Sequence, residues 1–416
     1  MDSIGNEIII VGGGIAGSGL ASLLAAGGLA VTVLERTTVF PDRVRGEMYN
    51  PWGVKIAQDL GLLQPLLDAG ASFTTNWVFY DPAFPPEVAE SMAVDVSTIV
   101  EGIPGILNFT HPAACQALFD NAEAHGATMV RGVTCVEVDL AGDRPLVRWK
   151  LDDGSTHQAS ASLVVGADGR ASGVRRAAGI ELHSAPVRQY MTGILVEGDQ
   201  PLSSHIDSYG TGTDVNWYSF PQGPNRSRVY FAHFDVHRYA GASGTERFLA
   251  DLSQCASPDV ASLANGRPIT PVATHESVDT WTDEPYAPGV VLVGDSAGYN
   301  DPIVGQGLSL AMADLRDVSR VILAGGRNPS DFAAYGAARS DRFAKQRITS
   351  QTMAEMFCAF GDEAAGRRLR GLPLLGTNEV VGLLAATLFA GPEVLPPGTE
   401  PFKRRASCSW RRSSSS

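Results

Sequence analysis

The chain is poor in several things, and each shortage narrows its function. Its five cysteines, Cys115, Cys135, Cys255, Cys358 and Cys408, form no C-x-x-C pair and no Cys/His cluster with zinc-ligand spacing, so no metal site is expected. An odd, scattered set of thiols suits a reducing compartment rather than a disulfide framework. Positive charge is short as well: a net charge of −13 argues against nucleic acid or an anionic membrane surface as a partner. No uninterrupted apolar run is long enough to span a bilayer. The start, "MDSIGNEIIIVGGG", carries acids where a secretory leader needs basic residues. Internal repeats are missing. Together these shortages point to a soluble, cytoplasmic protein.

Glycine, in contrast, is plentiful at 45 of 416 residues, which suits a backbone that must approach a ligand in several places. "EIIIVGGGIAGSGLASLLAAGGLAVTVLER" reads as strand, tight turn, small-residue helix and second strand, a βαβ unit. Within it, Gly12, Gly14 and Gly17 fit G-x-G-x-x-G around Ile15 and Ala16. Gly12 permits the sharp turn, Gly14 lets a pyrophosphate reach the backbone, and Gly17 lets helix and strand pack closely. Glu35 closes the second strand, about 20 residues on, where a carboxylate accepts hydrogen bonds from ribose hydroxyls. The loop alone leaves NAD and FAD open.

Two further glycine-rich strand ends follow. The first is Gly166-Ala167-Asp168-Gly169-Arg170-Ala171-Ser172-Gly173-Val174-Arg175. The second opens Gly294-Asp295-Ser296-Ala297 and continues through Pro302 to Gly305-Gln306-Gly307-Leu308. With the N-terminal loop, these motifs resemble in form, order and separation those of the single-component flavoprotein aromatic hydroxylases, the class A FAD-dependent monooxygenases whose type member is p-hydroxybenzoate hydroxylase. The resemblance runs over roughly residues 7 to 345. Arg45-Gly46, after the strand end Glu35-Arg36, matches the arginine-glycine pair that the family sets beside its cofactor.

That resemblance implies an α/β fold: a Rossmann-like (GR2-type) FAD-binding domain with an inserted antiparallel β-sheet substrate domain and a C-terminal helical segment. The FAD-binding domain would comprise residues 1–72, 101–185 and 286–345, with substrate-domain strands at 73–100 and the substrate-binding sheet at 186–285. C-terminal helices would fill 346–400, and 401–416 would be a disordered tail. The cofactor is then FAD, bridged by two strand-turn-helix units: the first loop holds its ADP part, Asp295 accepts from the ribityl hydroxyls, and the helix beginning near Gly307 faces the flavin. The resemblance further implies that NADPH or NADH, bound transiently with the Asp168 motif involved, reduces the FAD. Reduced flavin then adds molecular oxygen as a C4a-hydroperoxide, which hydroxylates or epoxidises an aromatic, polyketide or polyene substrate.

Some positions depart from the family pattern. His111 stands where many relatives begin a helix with arginine, Asn300-Asp301 replace a histidine-containing loop, and Ile303-Val304 replace Thr-Gly. Substrate contacts are expected from the inserted sheet. Alternation places Asn216, Tyr218 and Phe220 on one face of "DVNWYSF", and puts Phe231 and His233 together on "RVYFAHFDV". His233 and Tyr218 are candidates to relay a proton from a phenolic substrate. Two other functions use the same loops: a FAD-dependent reductase of isoprenoid-type double bonds, and a non-catalytic FAD-fold binding protein.

Overall fold

The computed structural model describes residues 8–371, except Arg43 and Arg45, and residues 379–395. Apolar, β-branched runs build a six-stranded sheet in the order 286–287, 290–292, 163–166, 8–11, 31–34, 128–130, parallel except for its first short strand. Strands buried on both faces read as continuous hydrophobic runs, and "IIIV" at Ile8–Val11 is such a run. Ile8 and Ile10 point into a core shared with the helices Ile15–Ala26, His111–Ala124 and Gly307–Leu323. Ile9 and Val11 point the other way, into a core closed by the antiparallel sheet of 133–139, 146–151 and 156–160.

The second layer is an eight-stranded sheet. Its strands Gln189–Glu197, Arg226–His233, Asn216–Pro221 and Ile206–Thr211 run antiparallel in that order, and Ile206–Thr211 then pairs parallel with Asn76–Tyr80. Both faces are covered. Trp77, Phe79, Tyr218, Phe220 and Tyr230 face Val44, Met48, Ile303 and the C-terminal helices. Val78, Trp217, Val229 and Phe231 face outwards, under the helix Gly244–Leu252 with Phe248 and Leu252.

Several boundaries differ from those read in the sequence. Ser72–Thr74 pairs with Ile106–Asn108 in a small separate sheet, while Asn76–Tyr80 and Val94–Asp95 join the large one. One unbroken helix, Ala333–Phe357, crosses the expected break at 345/346, because no proline or helix-ending glycine interrupts it there. The last described helix is Glu379–Ala390. The expected tail 401–416 lies outside the described residues. No helix among the described residues is long and apolar enough to cross a membrane.

Candidate active site

A cavity of about 340 Å³ opens between the two layers. Its lining includes Gly14, Ile15 and Ala16, where the helix Ile15–Ala26 begins with no side-chain cap on its N-terminal amides. The turn there is held by close packing. A Cβ on Gly12, whose φ is +103°, would sit 2.4 Å from the Ala167 carbonyl oxygen, and one on Gly17 would sit 1.8 Å from that of Gly12. Glu35 is buried and fixes the same turn, its Oε2 accepting from the Gly13 amide at 2.7 Å and its Oε1 from the Thr37 amide and hydroxyl at 2.7 Å each. Arg36 is exposed, and Arg45 lies outside the described residues. Gly46 lines the cavity beside His111, whose ring nitrogen is 3.1 Å from the Gly46 carbonyl.

The same cavity is lined by Gly294, Asp295, Pro302, Gly305, Gly307 and Leu308, and Gly294 approaches Ala16 closely. The helix Gly307–Leu323 starts here without a side-chain cap, so its first amides and the positive end of its dipole are turned to the cavity. Two uncapped helix N-termini on one cavity, with glycines at each and a half-exposed Asp295 in the same lining, fit a long cofactor with an anionic middle and a hydroxylated linker. Arg170 bridges to Asp295 at 3.4 Å and stacks over the Tyr299 ring at 4.1 Å.

Glu35, Arg36, Asp168 and Gln306, all expected to touch the cofactor, do not line the cavity. The Asp168 carboxylate accepts from the amides of Gly173 and Val174 at 2.7 and 3.2 Å and from the Ser172 hydroxyl, capping the short helix Gly173–Ala177, where helix-end donors satisfy it better than an anionic ligand would. Gln306 is fully buried. Its Oε1 accepts from the Trp52 indole at 2.8 Å, and its Nε2 donates to the Val304 and Leu388 carbonyls at 3.0 and 2.9 Å, so it clamps the loop from behind. Arg175 is likewise structural: Nη1 donates to the Ser296 carbonyl at 2.8 Å, tying the middle motif to the late one.

The sheet supplies the third wall. Tyr218 and Phe220 line the main cavity, and Asn216 lines a small void behind it. Phe231 and His233 are a correction. They share a face, as alternation requires, but it is the outer one: Phe231 packs on Phe248 with centroids 4.3 Å apart, and His233 Nε2 is hydrogen bonded to the Thr192 hydroxyl at 2.7 Å. Burial, aided by nearby Arg238, pushes the His233 imidazole down to about 4, which leaves it neutral and a weak base. Tyr230, next to Phe231 in sequence and on the opposite face, is the residue of that strand that lines the cavity. The error has a physical source, because both faces of this sheet carry aromatic side chains and alternation does not say which face a ligand meets.

Sequence reasoning also missed two buried charge clusters. Arg339 donates to the carbonyls of Gly294, Ala297 and Gly298 at 3.2, 2.8 and 2.8 Å and to Asp314 at 3.1 Å, while Asp314 accepts the Gly294 amide at 2.9 Å. On the sheet side, Glu47 lines the cavity, 2.9 Å from the buried Arg228, and accepts from the Gln222 amide at 2.7 Å. Burial pushes the Glu47 carboxyl up to about 8, against the downward pull of Arg228. The only trace of either cluster in the sequence is arginine at positions where a helix or strand is otherwise buried.

Residues 6–349 match the family described as FAD binding domain. Squalene monooxygenase of Rattus norvegicus is 24% identical over 375 residues, covering 88% of this chain and 64% of that protein, so the chain spans less than two thirds of that relative's length. The 3-demethoxyubiquinol 3-hydroxylase of Escherichia coli K12 is 27% identical over 368 residues, covering 84% of this chain and 86% of that one. In fold, the crystal structure of p-nitrophenol 4-monooxygenase from Pseudomonas putida DLL-E4 superposes with a TM-score of 0.79 at 16% identity, over 95% of this chain and 99% of that one. With the match extending over both glycine cradles and the sheet between them, the chain belongs to the FAD binding domain family, and its cofactor is FAD.

Proposed function

We propose that this chain is a FAD-dependent monooxygenase that uses NADH or NADPH and molecular oxygen to hydroxylate or epoxidise an aromatic, polyketide-like or polyene small molecule in the cytoplasm. One observation carries the reading: a single cavity is lined both by two uncapped helix N-termini and by Met191, Tyr209, Tyr218, Phe220 and Tyr230. The names of the relatives, two monooxygenases and a hydroxylase, agree with it. Reduced FAD supplies the activation of oxygen, and the protein's share is binding, orientation and exclusion of water.

Each part of that share has residues. Gly14 and the first turn of its helix would take the diphosphate, and Asp295 a ribityl hydroxyl. The start of the helix Gly307–Leu323 would stabilise negative charge on the reduced ring. The aromatic wall would hold the substrate's apolar body and keep water from the reacting edge. Arg170, half-exposed at the cavity, is better placed than the buried Arg175 to meet the phosphates of a nicotinamide donor.

The test is oxygen uptake and nicotinamide oxidation by the flavin-loaded protein, with isotopically labelled dioxygen and a panel of phenols, polyketides and polyenes. One labelled oxygen atom in a product supports the proposal. Saturation of an isoprenoid double bond without label would favour a reductase. A protein that rejects FAD altogether would sink both.

A further inference from the structure

Behind the aromatic wall lies a second, smaller void of about 20 Å³, bordered by Trp77, Phe79 and Phe357. It shares Tyr209, Tyr218 and Ile303 with the main cavity, so it opens off the same space. A void of this size holds about one oxygen-sized group. Its surroundings are apolar apart from a few polar tips, and two of those tips have no hydrogen-bond partner among the described residues: the Asn216 Oδ1 and the Tyr218 hydroxyl. Both side chains are more than nine-tenths buried, at 1% and 4% exposure. An unpaired buried polar atom costs about 1–3 kcal/mol, so two bordering one void call for a shared partner.

Their chemistry says which partner. The Asn216 amide is oriented by its Nδ2, which donates to the Gly210 carbonyl at 2.6 Å, so the atom left over is an acceptor. Burial raises the Tyr218 phenol well above its ordinary range, with Tyr209, Cys358 and Asp301 adding to the effect, so it keeps its proton and donates. Asn216 and Tyr218 are two apart on one strand, hence on one face, and both border a void with room for about one oxygen-sized group.

We propose that Asn216 and Tyr218 form a subsite for one neutral hydroxyl group of the substrate, which accepts from Tyr218 and donates to Asn216. The inference rests on the monooxygenase reading and narrows its substrate. An oxyanion or a carboxylate has no proton for Asn216 Oδ1 and would lose its solvation beside it. A hydrocarbon satisfies neither atom. The subsite therefore selects a protonated alcohol or phenol and anchors it without ionising it.

The experiment compares 2-naphthol, naphthalene and 2-naphthoate as ligands of the flavin-loaded protein, read by the shift they cause in flavin absorbance. Wild type should bind the naphthol about tenfold tighter than naphthalene, and the naphthoate no better than naphthalene. Tyr218→Phe, which removes only the hydroxyl, should erase most of that preference, and Asn216→Leu should do the same. If Asn216→Leu fails to retain FAD, Tyr218→Phe decides alone. Equal binding of naphthol and naphthalene by wild type would mean that water fills the void, and would overturn the proposal. So would a preference that survives Tyr218→Phe. Binding is read without turnover, so a selective protein that inserts no oxygen would keep the subsite and lose the monooxygenase reading.

Discussion

The two cofactor cradles have the same outline, strand, glycine turn and uncapped helix, but they are held in different ways. The N-terminal one is held by close backbone packing, of Gly17 on Gly12 and of Gly12 on the Ala167 carbonyl, and by the Glu35 carboxylate that pins the Gly13 amide. The late cradle is held from a distance. Arg339 gathers three of its carbonyls, Asp314 takes its Gly294 amide, Asp279 takes the Asp301 amide at 2.8 Å, and Trp52 and Leu388 hold Gln306. A glycine turn can thus be made rigid either by filling all space around it or by tying its polar atoms to buried charges. The first way tolerates no added atom, and the second tolerates no lost charge.

The largest effect should come from breaking the second way. Arg339→Met leaves Asp314 buried, with Arg342 at 3.7 Å its remaining cation among the described residues, and should cost about 3–5 kcal/mol in denaturant unfolding. Next is the first way. Gly17→Ala forces a methyl against the Gly12 carbonyl and should cost about 1–3 kcal/mol, with flavin lost on gel filtration.

A pH series sharpens the contrast further. Burial raises the Asp301 carboxyl from 3.8 to about 6, and Asp279, packed against it, is raised as well, while Arg188 pulls both down. A carboxyl raised by folding binds its proton more tightly in the folded chain. Its stabilising contribution is therefore full below pH 3.8 and lost as pH climbs through about 6. Asp301→Asn cannot ionise, so its unfolding free energy should fall less than that of wild type between pH 4 and 7, by about 1–3 kcal/mol. The smallest effect is at the half-exposed Asp295, whose ion pair with Arg170 adds little to stability. Asp295→Ala should leave the melting temperature of the flavin-free protein unchanged and weaken FAD binding about tenfold.

This contrast also explains what could be read in the sequence. The first cradle was legible because its glycines and the Glu35 that pins it fall within one short stretch of the chain. The late one was legible as a motif, yet Gln306, counted with the cofactor, turned out to brace the loop, and Arg339 gave no local sign of its role. Alternation grouped Asn216 with Tyr218 and Phe231 with His233 correctly. It failed on the second pair's direction, since the outer helix with Phe248 buries one face as fully as the cavity buries the other. Asp168 sits in a complete motif, but the motif's own helix end uses its carboxylate.

The central claim is that one FAD spans both cradles, its ADP half in the first and its flavin half in the second. Calorimetric titration of wild type, Gly17→Ala and Asp295→Ala with FAD and, separately, with ADP tests it most directly. The account predicts that Gly17→Ala weakens both ligands, whereas Asp295→Ala weakens FAD and leaves ADP unchanged. If Asp295→Ala weakened ADP as much as FAD, or changed neither, the two cradles would not be sharing one cofactor in this way.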